Sequence, residues 1–190
     1  MPIQLVQPSD PYLDAYLATL ARGWDPSSFQ KTDGPLTAEI EEINKNRAKF
    51  FQNNLNFTGG GEAIALPDGT RVERLPQITK WMWDGEFVGK IQFRWQHNTV
   101  ALPPTCLGHI GYGVVPWKRG KGYATAALKL LLEEINYCGL PYVELSTAAD
   151  NVISQRVIAH CSGRFVENFE KLPANGGGPA KRYRINLAQA

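Results

Sequence analysis

The sequence has no apolar run long enough for a membrane-spanning helix, and residues 1–10 lack the basic flank and apolar stretch of a signal peptide. These absences predict a cytoplasmic protein with no membrane partner. Cysteine is scarce as well, with three residues in the chain. They are odd in number and show no CxxC spacing. A disulfide framework and a zinc site are therefore not favoured, and no metal is expected.

Neither sign of charge is in clear excess. Lys and Arg number 20 against 18 Asp and Glu, so the formal net charge is +2 at pH 7. Basic residues cluster only at 118–121 and 181–184, which does not favour a nucleic-acid partner. A content of 43% hydrophobic and 20% charged residues is typical of globular proteins, and the length fits one domain, 1–190.

Local patterns predict a chain of mixed helices and strands. Apolar residues recur at helical spacing after Ser9-Asp10, over 11–22, and again from Thr37 to about Asn53. Apolar and aromatic runs flank Asp84-Gly85, a pair typical of a β-hairpin turn. The later predicted elements are a strand at 109–115, a helix at 122–138, a strand at 142–146, a helix at 152–160, and strands at 164–169 and 182–187.

The segment from Lys118 to Ala124 joins a predicted strand to a predicted helix and carries three basic side chains. Unpaired N–H groups and the positive end of the helix dipole favour an anion at such a junction. Gly120 and Gly122 would let a phosphate approach the backbone. The spacing fits neither a Walker motif nor a dinucleotide fingerprint. The segment therefore predicts an anion site, and the alternative is a basic helix start that binds nothing.

The residues from Gly113 to Ala124 resemble the acetyl-CoA motif of the GNAT superfamily of N-acetyltransferases. The motif is Arg or Gln, two residues, Gly, one residue, and then Gly or Ala. Arg119, Gly122 and Ala124 satisfy it. The wider stretch 108–115 is similar to a group of uncharacterised bacterial acetyltransferases.

A second match lies downstream, where residues 146–163 resemble the next strand and helix of the same family. Asn151 and Ser154 stand at the usual spacing, and Gly163 ends the segment. Asn151 also fits a helix cap, and the two roles can coexist. Together the two matches cover roughly residues 109–169, in the order in which the family has them.

The resemblance implies an α/β protein of the α+β type, with a mixed, mostly antiparallel sheet flanked by helices and two central strands, 108–115 and 142–146, that splay apart for acetyl-CoA. Residues 108–169 would form the acetyl-CoA-binding core, and residues 1–57 would supply N-terminal helices and the acceptor side. Acetyl-CoA is the implied cosubstrate. Its expected contacts are Val114, Val115, Lys118, Arg119, Gly120, Lys121, Gly122, Tyr123, Ala124, Asn151 and Ser154.

The implied reaction is direct attack of a primary amine on acetyl-CoA in a ternary complex. It needs a group that takes a proton from the amine, directly or through water. His109 is the first candidate because imidazole titrates near neutral pH, and Glu144 on the adjacent strand is the second. Each residue also fits a purely structural role. A backbone N–H of Val114 or Val115 would stabilise the oxyanion.

The family usually protonates the leaving thiolate with a Tyr, and Ile158 occupies the expected position in this sequence. His160, Cys161, Tyr183 or water could take that role, or the acid could be dispensable, because a thiolate with a pKa of about 8.5 is a tolerable leaving group. The departure keeps a second function open, a non-catalytic CoA-binding or sensor module. A third alternative is an RNA- or nucleotide-binding domain that uses residues 118–121. The predicted partner is a small-molecule or peptide amine of unknown identity, and homodimer formation is left open.

Overall fold

The computed structural model describes residues 2–26, 36–66 and 68–187, with only the backbone of Tyr137. The described helices are α1 (Asp10–Ala21), α2 (Thr37–Lys45), α3 (Arg47–Asn54), α4 (Tyr123–Glu134) and α5 (Val152–Ala159). The described strands are β1 (Gln4–Val6), β2 (Leu55–Asn56), β3 (Ile64–Ala65), β4 (Arg71–Val72), β5 (Gln77–Trp83), β6 (Phe87–Arg94), β7 (Ile110–Val114), β8 (Tyr142–Ala148), β9 (Arg164–Glu170) and β10 (Pro179–Asn186). None of these helices has the length and apolar character that a bilayer span requires.

The strands form two main sheets. The first has the order β1-β5-β6-β7, with β2 also paired to β5, and the second has the order β8-β10-β9. Strands β3 and β4 pair separately, and every ladder among the described strands is antiparallel. The predicted α/β class with mostly antiparallel sheets is confirmed, and the hairpin predicted at Asp84-Gly85 is the β5–β6 pair.

The first sheet is covered on both faces because side chains of a strand alternate between its faces. Trp81 packs on one side against residues of α1 and α2, including Tyr16 at a ring-centroid distance of 4.8 Å. Met82, its neighbour, packs on the other side with α4, including Leu128. All four side chains are at most 3% exposed. Burying each large apolar side chain contributes about 1.5–3 kcal/mol, which fixes the hairpin between two helical layers.

The single amphipathic helix predicted from Thr37 to Asn53 is wrong in one respect. The structure has two helices there, and the break falls at Asn46, whose φ of −149° is outside the helical region. The side chain of Asn46 accepts a hydrogen bond from the backbone N–H of Lys49 at 3.0 Å. Asn therefore caps a new helix where the apolar periodicity alone predicted continuation. Strand β1 was also not predicted from the sequence.

The two sheets meet at a seam just before β7. The N–H of His109 donates to the C=O of Glu144 at 2.7 Å, and the N–H of Glu144 donates to Nδ1 of His109 at 3.0 Å. Gly108 is required beside them, since a Cβ there would lie 2.8 Å from the carbonyl oxygen of Glu144. No ladder joins β7 to β8 beyond this seam. The two strands therefore part and leave a gap between the sheets.

Candidate functional site

The turn that enters α4 presents backbone N–H groups to the gap. Gly120 and Gly122 have φ of 78° and 77°, in the left-handed region that glycine adopts readily. Gly122 is the N-cap of α4. The amides of residues 120–125 have no protein acceptor within the described chain, while the next amide, that of Ala126, donates to the C=O of Gly122. Six unpaired donors at a helix N-terminus are an arrangement suited to an anion.

The same turn is held from behind by the β5–β6 hairpin. Lys118, 8% exposed, places Nζ 2.6 Å from Oδ1 of Asp84 and 2.9 Å from Oε2 of Glu86. The hydroxyl of Tyr123 donates to the second carboxylate oxygen of Asp84. Asp84 therefore ties both ends of the turn to the hairpin, and the charge of Lys118 is already neutralised inside the protein.

Electrostatics at Asp84 agree with this arrangement. Burial alone would favour the neutral acid, yet hydrogen bonds from Lys118 and Tyr123 outweigh burial and lower the pKa of Asp84. The pKa of Lys118 moves upward, since burial is outweighed by its bonds to Asp84 and Glu86. Both groups are thus ionised at neutral pH. An ion pair with side chains only 10% and 12% exposed is costly to break once formed.

A cavity of about 530 Å³, the cofactor cavity, lies in front of this turn. Nine of the predicted acetyl-CoA contacts line it: Val114, Lys118, Arg119, Gly120, Gly122, Tyr123, Ala124, Asn151 and Ser154. Two do not, because Lys121 is exposed outside it and Val115 is fully buried. The structure thus brings together groups from β7, the turn and the start of α5 that the sequence separates by some 40 residues, from 114 to 154.

Val114 and Val115 differ in which backbone groups are free. The N–H of Val115 donates to the C=O of Val88 at 2.9 Å, and its C=O accepts from the N–H of Lys118. Successive residues of a strand point their N–H groups to opposite sides. The N–H of Val114 therefore points away from β6 and faces the gap. The C=O of Val114 accepts a hydrogen bond from Nε of Arg119 at 3.0 Å. Val114 is therefore the one of the pair with an amide available to a ligand.

Asn151 acts as the cap of α5, with Oδ1 accepting the N–H of Ser154 at 3.1 Å. This is the capping role predicted as an alternative to acetyl-CoA binding. Both residues nevertheless line the cofactor cavity. Capping uses the carboxamide oxygen only, so the amide nitrogen of Asn151 and the hydroxyl of Ser154 keep their hydrogen-bonding capacity.

A second cavity of about 640 Å³, the acceptor cavity, adjoins the first. The two share Tyr112, Gly113, Arg119, Asn151 and Ser154 as lining residues, so they are continuous. Tyr112 spans the gap, because its hydroxyl donates to the C=O of Ser154 at 3.3 Å. Burial raises the pKa of Tyr112 to about 12, so the phenol stays protonated at neutral pH.

His109 and Glu144, the predicted proton-transfer residues, lie at the seam and line neither cavity. His109 is 1% exposed, and burial lowers its pKa. Its Nδ1 accepts the N–H of Glu144, and an interaction of the buried ring with the backbone of Val100 opposes the effect of burial on the pKa without outweighing it. The carboxylate of Glu144 pairs with Arg184 at 2.8 Å and with Arg182 at 3.2 Å. Through these contacts His109 and Glu144 join the first sheet to the second.

The candidates for the acid that protonates the thiolate are also placed. Ile158 is 1% exposed and lines the acceptor cavity, so the family's usual Tyr is replaced by an apolar wall. Nδ1 of His160 lies 2.7 Å from the C=O of Arg156 on the exposed side of α5. Cys161 and Tyr183 are buried, and neither lines a cavity.

Sequence reasoning missed two residues of this site, Asp84 and Tyr112. Asp84 was interpreted only as a turn former, because its ion pair with Lys118 spans 34 positions and has no local signal. Tyr112 could have been found, since it lies two residues before Val114 and therefore shares its side of the strand. Among the described residues there is no cluster of three or more His, Cys, Asp or Glu side chains suited to a metal ion.

These features define a protein with free backbone amides at a gap between two sheets, an arrangement suited to a phosphate-bearing ligand, and a second cavity next to it. The model of the acetyltransferase (GNAT) domain family matches residues 17–164, and the chain therefore belongs to that family. It is an acetyl-CoA-dependent N-acetyltransferase, as the motif predicted, with an acceptor that is not identified. A comparison with curated protein sequences gave no match.

Solved structures with the same fold include a microcin self-immunity acetyltransferase bound to acetyl-CoA and AMP, 14% identical, at a TM-score of 0.60 over 98% of this chain and 93% of that one. A ribosomal-protein alpha-N-acetyltransferase bound to coenzyme A is 13% identical, at a TM-score of 0.63 over 100% and 97% of the two chains. A chimera of the Vibrio cholerae spermidine N-acetyltransferase and hSSAT is 12% identical, at 0.63 over 98% and 96%. At these identities the likeness concerns the fold.

Proposed function

We propose that the chain transfers the acetyl group of acetyl-CoA to a primary amine bound in the acceptor cavity, by direct attack within a ternary complex. The observation that carries the proposal is the continuity of the two cavities. One presents six unpaired amides suited to a pyrophosphate, and the other meets it at Tyr112 and Gly113. A cosubstrate held in the first would place its reactive end at the entrance of the second.

In this proposal the turn binds the pyrophosphate through amides 120–125, and Arg119 adds a cation at the same place. Asn151 and Ser154 contact the cofactor from α5. The free N–H of Val114 hydrogen-bonds the pantetheine arm or the oxyanion that forms on the acetyl carbonyl. Lys118 contributes by fixing the turn, since its charge is paired with Asp84.

We propose that the proton of the attacking amine passes to water in the acceptor cavity and that His109 and Glu144 hold the seam. The position of both residues outside the cavities supports this assignment. The leaving thiolate has an ordinary pKa of about 8.5 and can depart without a dedicated acid. Residues 1–57 contribute to the acceptor side through Trp24 and Asp25, while residues 27–35 lie outside the described chain.

The test measures thiol release from acetyl-CoA in the presence of a panel of amines: amino acids, peptides, polyamines and aminoglycosides. At least one amine should give release that depends on both enzyme and amine. CoA at one hundred times its dissociation constant should stabilise the protein by about 2.7 kcal/mol, a rise in Tm of roughly 5–10 °C. A rise in Tm without release for any amine would instead favour the non-catalytic CoA-binding module.

A further inference from the structure

Basic side chains predominate among the charged residues that line the acceptor cavity. Apart from Arg119, which belongs also to the cofactor cavity, its lining includes Arg74, Lys90, Arg94 and Lys171. Asp25 is the one carboxylate among the described lining residues. A cavity with this balance attracts anions and repels cations. The chain as a whole is nearly neutral, so the excess is local.

The ion pairs of the described chain do not neutralise these residues. The described basic residues that lie within 4 Å of a carboxylate are Lys45, Arg47, Lys49, Lys80, Lys118, Arg182 and Arg184. None of the four cavity cations is in that set. Lys90 is compensated at longer range by Glu39 and Asp25, although burial dominates and lowers its pKa to about 8. Arg74 donates Nε to the C=O of Glu62.

Arg94 is the cation most clearly prepared for a ligand. Its Nε is buried and has no hydrogen-bond partner among the described residues, although a guanidinium group has five donors to satisfy. No carboxylate of the described residues forms an ion pair with its guanidinium within 4 Å. Its positive charge also contributes to the lowered pKa of Lys90 and of His109. A buried donor without a partner costs free energy, and an anionic ligand would satisfy it.

The orientation of Arg94 is also fixed in advance. Its Nη2 donates to Oε1 of Gln92 at 3.0 Å, Gln92 donates to Gln77, and Gln77 donates to the C=O of Asn53. Gly111 leaves room for it on β7, because a Cβ there would come within 3.2 Å of Nη2. This chain of hydrogen bonds holds the guanidinium against the strand that leads to Val114, where the acetyl group is expected.

We propose that the acceptor carries an anionic group, a carboxylate or a phosphate, which Arg94 binds in the acceptor cavity while the amine faces the acetyl group. This inference rests on the proposed function and specifies its substrate class. It predicts that an amino acid, a peptide end or a phosphorylated amine is an acceptor. A polyamine, whose positive charges the cavity would repel, is not expected to be one. Arg94 acts here as a specificity-determining residue.

The first experiment measures anion binding without turnover. The protein is saturated with CoA, and inorganic phosphate or acetate is added at constant ionic strength with chloride as the reference. We expect at least one of the two anions to raise the Tm, and which one does so separates phosphate from carboxylate. Arg94→Gln should weaken that binding by about tenfold or more. Arg164→Gln, which removes an exposed arginine outside both cavities, should leave it unchanged.

Failure of the anion site and failure of the proposed function give different results. No stabilisation by either anion, or stabilisation that survives Arg94→Gln, overturns the anion site while CoA still raises the Tm. Absence of any CoA effect in the unaltered protein removes the proposed function itself. The response of Arg94→Gln to CoA also reports whether that variant is folded.

The second experiment compares acceptors that differ only in the anionic group, namely alanine with alaninamide and phosphoethanolamine with ethanolamine. The kcat/KM for the anionic member of at least one pair should exceed that of its neutral partner by about tenfold or more, and Arg94→Gln should abolish the ratio. Arg94→Lys, which keeps the charge, should restore part of it. Equal use of the neutral members, or preferred use of spermidine, overturns the proposal and leaves acetyl transfer intact.

Discussion

The cofactor cavity and the acceptor cavity are built on opposite plans. The cofactor cavity takes most of its wall from one continuous stretch, Tyr112 to Thr125, and offers backbone amides. Its most buried cation, Lys118, is paired with carboxylates of the protein. The acceptor cavity takes side chains from separate segments, and Arg94 in its wall lacks an ion-pair partner among the described residues.

The difference teaches how to assign a basic residue near an anion site. A cation with a short bond to a carboxylate from elsewhere in the fold stabilises the fold, even inside a binding motif. A cation whose hydrogen bonds go only to neutral amides is not neutralised by the protein, so its charge is available to an anionic ligand. Lys118 belongs to the first kind and Arg94 to the second, although the sequence alone singled out Lys118.

The largest expected effect concerns the support behind the cofactor cavity. Asp84→Ala leaves the buried ammonium of Lys118 and the hydroxyl of Tyr123 without their shared acceptor. We expect the free energy of unfolding to fall by about 3 kcal/mol in a urea titration. CoA affinity should fall too, because binding must then order the turn.

Glu86→Gln is the matched control for Asp84→Ala. Glu86 pairs with the same ammonium at 2.9 Å, but its side chain is 79% exposed. Loss of such a surface pair should cost less than about 1 kcal/mol. Equal losses for the two variants would contradict the role assigned to Asp84.

A smaller effect is expected from the conformation of the turn. Gly122→Val places a β-branched side chain at a φ of 77°, where strain costs on the order of 1–3 kcal/mol. Gly139→Val imposes similar strain at a φ of 68°, away from both cavities. A Cβ at either position meets no protein atom within 4 Å. Both should lose stability, but only Gly122→Val should weaken CoA binding, by about tenfold or more, in calorimetry.

The smallest effect tests the seam on which both cavities depend. The lowered pKa of His109 means that the unfolded chain binds its proton more tightly than the folded protein does. Stability from this residue is therefore present above roughly pH 6.5 and is lost as the pH falls below that value. In His109→Asn this loss should be absent, so the difference in the free energy of unfolding between the two proteins should become smaller as the pH falls from 7 to 5.5.

The same variant tests the proton-transfer prediction. With His109 at the seam, kcat of His109→Asn should stay within about tenfold of the unaltered enzyme. A fall of about a hundredfold or more, with a pH profile that loses its acidic limb, would assign the proton transfer to His109 after all.

The part of the site that the sequence predicted is the part made by the backbone. Glycines at Gly120 and Gly122 reveal a turn with left-handed residues, and the apolar period of α4 places a helix directly after it. Such signals are local, and the resemblance to the family that they belong to implied the acetyl-CoA contacts, nine of which line the cofactor cavity. The hairpin at Asp84-Gly85 was predictable for the same reason.

The acceptor cavity was not predictable in this way because its walls join residues far apart in the chain. Trp24, Arg94 and Lys171 share no spacing pattern, and only the packing of helices and strands brings them together. The burial of His109 was not predictable for a related reason, since its position on the strand leading to Val114 gave no information on depth. Burial and the bond to Glu144 are properties of the packed sheets.

The contact of Asp84 with Lys118 and Tyr123 also constrains how this sequence can change over generations. Loss of Asp84 removes the shared acceptor of the other two residues, and loss of Lys118 leaves the carboxylate of Asp84 without its cation. A lineage can therefore abandon the arrangement only by exchanging several of its members nearly together, for example through an apolar set of similar volume. In related sequences these three positions, 34 and 39 residues apart from the aspartate, should be inherited as a unit.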